Sequence, residues 1–320
     1  MDMATLRSPL VTARETTAGG ASSSLRRYLA NHRPPRGTGL PIALSLLPGA
    51  CLFTVFFLVP LGVLAVTSFS DWNLAGWSYV GVDNYEAVFR DPTFWKAAQN
   101  TLIYAVAGVF IQVPLGCAAG IILSQRPPGW RIFRAVLFLP FVISGAAYAL
   151  VFSIFYNPRY GLLDSALGGI GLDRHRDWLF GLQTALPAVI GTFVFIVGFV
   201  MILVMAEVAS IPATLYEAAR VDGASALQQH LHITLPMLRN VIGTCVLITL
   251  LGYLALFDVV FILTAGGPGD ATVTLVLYAY RAYTNDQWGY ANAVGMCVVV
   301  TGAFLIICVR RGFRIGERDL

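Results

Sequence analysis

LPAVIGTFVFIVGFVMILVMAEVASIPATLYEAARVDGASALQQHLHITLPMLRN, residues 186–240, joins two kinds of sequence that belong in different solvents. Up to residue 208 it carries one charge, Glu207, in a run long enough to cross a bilayer, which takes about 20 apolar residues for roughly 30 Å of hydrocarbon. From Ser210 it turns polar. Pro212 suits a first helical turn, where a missing N–H costs nothing. Helix formers follow through Tyr216, Glu217, Ala218, Ala219 and Arg220, and Gly223 permits a sharp turn. A second short helix over Ala226 to Leu231 is expected, with Pro236 marking entry into the next apolar run. The paired alanines leave a shallow helix face that another protein can approach closely, with Glu217 and Arg220 at its rim.

The rest of the chain repeats the apolar pattern. Of 320 residues 57% are apolar and 12% charged, with mean hydropathy +0.71. Soluble domains carry about 25% charged residues, so this is an integral membrane protein. Six spans are expected, near 41–68, 101–124, 135–156, 186–208, 241–264 and 291–309, giving an all-α polytopic fold. Pro41, Pro48 and Pro60 predict kinks in the first. The stretch 272–280 is too short to span and is expected at the interface.

With the N-terminus inside, 15 of the 21 basic residues fall on one side, among them Arg126, Arg131, Arg134, Arg220, Arg239, Arg310 and Arg311. Positive residues near short loops stay on the cytoplasmic side, so both termini are expected there. Residues 1–39 have no apolar period to bury and are expected to be disordered. The run after them is too long for a signal peptide, so it reads as an uncleaved first helix, with Arg26-Arg27 as its anchor.

Several chemistries are excluded or weakened. The net charge of +4 is spread along the chain, without the dense basic face of a nucleic-acid binder. The only lysine is Lys96, so there is no Walker A loop. Cys51, Cys117, Cys245, Cys297 and Cys308 lie in or at the ends of apolar stretches and read as small hydrophobes. His230 and His232 are two apart and point to different sides of a helix, so no metal site is expected. Gly266-Gly267-Pro268-Gly269 lacks a phosphate loop's lysine and reads as a rigid external turn. No catalytic residues stand out. Asp258 is the only carboxylate well inside a span, hence a functional candidate: a structural or gate-lining residue, or the proton relay of an ion-gradient-driven secondary transporter.

Glu217-Ala218-Ala219, three residues, Gly223, nine residues, then Ile233-x-Leu235-Pro236 resembles the EAA signature of permease subunits in binding-protein-dependent ABC importers. The wider YEAARVDGA together with FDVVFILTAGGPGDAT at 257–272 is similar to the carbohydrate branch, the maltose- and glycerol-phosphate-type first permease. Similarity extends through GVDNYEAVFRDPTFWKAAQNTL at 81–102 and RIFRAVLFLP at 131–140. One departure is MAEVAS, 205–210, where the family commonly has a Leu-Gln-rich stretch.

The resemblance implies a permease domain over 40–309 with tails at 1–39 and 310–320, in a bacterial inner membrane. It implies a sugar or sugar-derived cargo and alternating access. The loop 210–240, with Glu217, Ala218, Ala219, Asp222, Gly223, Ile233, Leu235 and Pro236, would couple to a separate ATPase. ATP and Mg would bind that ATPase dimer and no cofactor this chain; the other partners would be a second permease, an extracytoplasmic solute-binding protein and membrane lipid. Positions lining a sugar path would fall on Thr192, Phe195, Phe199, Thr249, Gly252, Tyr253 and Leu256.

Overall fold

The computed structural model describes residues 39–169 and 177–313. The tail to residue 38, residues 170–176 and the last seven residues lie outside them. The chain divides into two compact units, one ending at Leu61 and one beginning at Gly62.

In the first unit α1 (Gly39–Phe53) contains Pro48 and runs into a π turn, Thr54–Leu58. The turn ends two residues before Pro60, which has no N–H to donate. Val59 N–H reaches back five residues to the Thr54 carbonyl, so the irregularity has proline as its cause. Every side chain from Leu44 to Leu61 is exposed, an apolar surface that water cannot be expected to cover.

The second unit opens with the end of α2 (Val59–Thr67) and an antiparallel hairpin, β1 (Ser70–Asn73) and β2 (Gly76–Tyr79), Ser70 opposite Tyr79. Asn73 closes its turn by accepting the Ala75 N–H at 2.8 Å. Helix α3 (Asp83–Arg90) leads into α4 (Pro92–Ser124), which Asp91 caps by accepting the Thr93 N–H at 2.7 Å. Next come α5 (Trp130–Val142), α6 (Gly145–Phe155), α7 (Leu162–Gly169), α8 (Ala185–Thr192) and α9 (Gly198–Ser210). After a polar segment described below, α13 (Arg239–Leu254), α14 (Asp258–Thr264), α15 (Leu275–Thr284) and α16 (Trp288–Phe313) complete the unit.

Four helical stretches are long and apolar enough to cross a membrane: 44–67, 92–124, 185–210 and 288–313. Two bent pairs, Trp130–Val142 with Gly145–Phe155 at 104° and Ala226–Met237 with Arg239–Leu254 at 64°, raise the number to as many as six by length and composition alone. The expected spans 135–156 and 241–264 are not single helices. The first breaks by 104° between α5 and α6, where Pro140 weakens the helix, Ile143 is extended and Ser144 caps the new start. The second stops at Leu254 and restarts at Asp258; the Thr274 hydroxyl donates to the Leu256 carbonyl that the break exposes. The last helix runs to Phe313, past the expected 309.

Helix α4 is the spine. Gly116 and Gly120 bring it against α9 so closely that an added Cβ would stand 2.5 Å from Val200 Cβ and 2.8 Å from Val204 Cβ. Small residues four apart are how helices approach in lipid, where packing replaces the hydrophobic drive. The core is centred on Tyr104, Phe193 and Tyr253, the rings of the last two 4.1 Å apart. A 3₁₀ turn at Phe193–Phe195 separates α8 from α9 and leaves the Thr192 carbonyl without its helical donor. The Tyr148 hydroxyl, at 2.5 Å, supplies one. Buried polar groups elsewhere are satisfied likewise, and among the described residues no buried side-chain nitrogen or oxygen lacks a partner.

Candidate functional site

The polar segment between α9 and α13 breaks from α9 at Ile211, which is extended, and starts α10 (Ala213–Val221) after Pro212. Two bonds close α10: Gly223 N–H to Arg220 O at 3.1 Å and Ala224 N–H to Ala219 O at 2.9 Å. With Gly223 at φ +78° this is a Schellman ending, which needs a left-handed residue at that position. Ser225 and Gln228 then form a reciprocal capping box that starts α11 (Ala226–Gln229). The expected helix to Leu231 instead passes at His230 into a π turn, His230–Thr234, before α12 (Leu235–Met237). The cause is the one seen at Pro60. Pro236 has no N–H, and Leu235 N–H reaches back five residues to His230 O.

Side chains tie this element together. Thr234 is fully buried, and its hydroxyl meets Tyr216 Oη at 3.0 Å and His230 Nδ1 at 3.1 Å. His230 Nε2 lies 3.3 Å from Gln125 Nε2, just past the end of α4. His232 donates from Nδ1 to the Gln228 carbonyl at 3.0 Å. Both imidazoles thus have hydrogen-bonding tasks inside the element. Ala219, Asp222, Gly223 and Ile233 come together around a hollow of about 340 Å³, whereas Glu217, Ala218, Leu235 and Pro236 stand exposed outside it. Val221, 88% exposed, and Leu227, 67% exposed, flank the turn.

The seven residues expected along a sugar path differ in burial and in packing partners. Thr192 and Thr249 are buried, the Thr192 hydroxyl on the Val189 carbonyl at 2.7 Å. Tyr253 is in the core, with Gln112 Nε2 donating to its hydroxyl at 2.5 Å. Phe195 packs on Phe152 of α6, and Phe199 stacks on Phe141 of α5 at 4.9 Å. Gly252 has open space where a side chain would stand, and Leu256 is half-buried. Asp258, exposed at the start of α14, lies against the start of α6, where a Cβ on Gly145 would come within 2.8 Å of its Oδ2.

A network that sequence reasoning missed holds the glycine-rich turn. Arg281 donates to Asp270 Oδ1 at 2.6 Å and to Ala265 O at 2.7 Å. Asn100, buried in α4, donates to the carbonyls of Asp270 and Val273. Nearby, a polar cavity of about 620 Å³ includes Asp91, Tyr278 and Tyr290 in its wall. Burial acts to raise the Asp91 carboxyl, but hydrogen bonds from the Tyr278 hydroxyl and from Thr93 outweigh it and hold the pKa below the ordinary 3.8. Burial, the Asp91 carboxylate and Tyr290 push the Tyr278 hydroxyl far up. A group whose pKa is lowered on folding stabilises the fold above its unfolded pKa and loses that contribution as pH falls through the folded one. Tyr278→Phe is therefore expected to cost about 1 kcal/mol at pH 7 in thermal melts, a difference that narrows below 3.8.

The family of binding-protein-dependent transport system inner membrane components matches residues 112–318. The chain belongs to that family. One relative of this inner membrane component is the probable ABC transporter permease protein YurN of Bacillus subtilis (strain 168), 36% identical over 84% of this chain and 95% of that one. Another is the diacetylchitobiose uptake system permease protein NgcF of Streptomyces coelicolor, 32% identical over 88% of this chain and 83% of that one. In fold it is similar to a chain of a bacterial ABC transporter involved in the import of the acidic polysaccharide alginate, with TM-score 0.76 at 23% identity over 94% of this chain and all of that one. It is a multi-pass membrane protein whose homologues are sugar ABC transporter permeases. The ion-gradient alternative built on Asp258 is not favoured.

Proposed function

We propose that this chain is one of two permease subunits in an ATP-driven importer for a sugar or sugar-derived solute. In this reading there are six spans, the third bent between Trp130 and Phe155 and the fifth starting only at Arg239, and the arginine distribution argues for both termini and the element 210–240 on the cytoplasmic side of a bacterial inner membrane. The observation that carries the reading is the construction of that element. A rigid turn at Gly223, flanked by exposed Val221 and Leu227, is joined through Ile211 to α9, through His230 and Gln125 to α4 and through Leu238 to α13. A force on the turn is thereby passed to three membrane helices.

The engine is a separate ATPase dimer that binds ATP and Mg; this chain is not an enzyme. An extracytoplasmic binding protein delivers the cargo to the outward-open pair, closure of the ATPase moves the element, and the helices reorient for release. ATP drives this only by binding one conformation better than the other. The names of relatives such as the diacetylchitobiose permease support a sugar cargo. Purification of the tagged chain from its native membrane in mild detergent, followed by mass spectrometry, is expected to bring along a Walker-A-bearing ATPase and a second EAA-bearing permease. Recovery of the chain alone would remove the element's task.

A further inference from the structure

Between the end of α4 and the start of α5 three arginines surround one indole. The Cζ atoms of Arg126, Arg131 and Arg134 lie 5.8, 5.7 and 5.2 Å from the Trp130 ring centroid. All three are exposed, and the ion pairs among the described residues are Arg90 with Glu86 and Arg281 with Asp270. Three unpaired guanidiniums thus converge on a half-buried ring. Attraction to the indole face offsets part of their mutual repulsion, and an anion would remove more. Beside them a groove of about 360 Å³ runs between α4 and α9, with Arg126, Trp130 and Arg134 at its mouth and Leu123, Ile202 and Met205 along its wall.

We propose that this groove is a site for one anionic glycerophospholipid. Its position agrees, because the stretches 92–124 and 185–210 end beside it and the bent pair begins at Trp130, so the mouth lies at an edge of the membrane. Guanidinium forks match phosphate oxygens. Basic pockets between membrane helices hold anionic headgroups, and tryptophan favours the glycerol level. The apolar wall selects the source of the phosphate: a free anion has no use for Leu123, Ile202 and Met205, whereas the first carbons of an acyl chain do. This inference does not depend on the coupling role of 210–240.

The test uses the full-length protein with the subunits that co-purify, stripped of lipid and titrated with phosphatidylglycerol or phosphatidylcholine of equal chain length in native mass spectrometry. The expected result is a preference of roughly tenfold or more for phosphatidylglycerol, lost in Arg126→Gln/Arg134→Gln while phosphatidylcholine binding stays the same. A second reading needs no charge variant. Phosphatidylglycerol brominated on its acyl chains should quench wild-type fluorescence more than that of Trp130→Phe. Equal binding of the two lipids, unchanged binding in the arginine variant, or equal quenching with and without Trp130, as when another subunit covers the groove, would each overturn the proposal. So would inorganic phosphate binding the wild type as tightly as phosphatidylglycerol does, which would make this an anion site.

Discussion

Gly223→Ile is expected to cut solute-stimulated ATP hydrolysis by the assembled transporter about tenfold or more while the chain still inserts and assembles. The reason is conformational and local. Gly223 stands at φ +78°, and no atom lies within 4 Å of the place a Cβ would take. Isoleucine therefore meets no neighbour, and its whole effect comes from holding an L-residue in the left-handed region, about 1–2 kcal/mol and more when β-branched. That strain is relieved by releasing the bonds from Gly223 to Arg220 and from Ala224 to Ala219. The rigid turn then becomes a frayed one. If the turn couples as proposed, it loses its stroke when its tip yields, and a population shift of this energy is roughly tenfold or more. Gly223→Asn is the control, since asparagine tolerates the left-handed region, and it should retain activity within about threefold. The measurement is solute-stimulated phosphate release in proteoliposomes. Full stimulation in the isoleucine variant would detach this turn from energy coupling.

The parts of the molecule legible in the sequence are those whose cause is local. Length and apolarity mark the stretches 92–124, 185–210 and 288–313. A lone glycine after a short alanine-rich helix marks a left-handed turn, and a proline marks an irregularity. What kind of irregularity it marks is less visible: Pro60 and Pro236 each produce a π turn just upstream, while Pro140 precedes a full break. The break at Ala255–Phe257 has no polar sign of its own, since its exposed carbonyl is answered by Thr274 from the far side of the glycine turn. Asn100 bonds partners 170 and 173 residues away, and no window of sequence holds both. The hairpin at Ser70–Tyr79 has strands of four residues, too short for alternation to speak, although Asn73 and Gly76 are turn residues in plain view. The sugar-path positions follow only from counting along a resemblance. Counting cannot tell that Tyr253 turns inward beneath Phe193 while Phe199 turns toward Phe141.

The second large effect is expected where α4 and α9, the helices proposed to receive the turn's motion, are packed together. At Gly116 an added Cβ would also lie 3.1 Å from the Val197 carbonyl, and at Gly120 2.9 Å from the Met201 carbonyl. Those are backbone atoms of α9 and its approach, so a side chain there cannot be accommodated by a rotamer change; the helices must part. Overpacking costs about 1–3 kcal/mol per site, and in a chain of this size each kcal/mol moves the melting point by about 2–4 °C. Gly116→Leu/Gly120→Leu is thus expected to melt about 10 °C lower in detergent or to lose its monodisperse elution peak, whereas Gly252→Leu, with open space around it, moves the melt by no more than about 2 °C. Unequal outcomes of this kind would establish α4 and α9 as one rigid body, from Phe193 down to the segment that ends at Gly223. If the double variant melted like the wild type, the close approach of the two helices would be absent in the protein, and motion of the turn would have no single block to push.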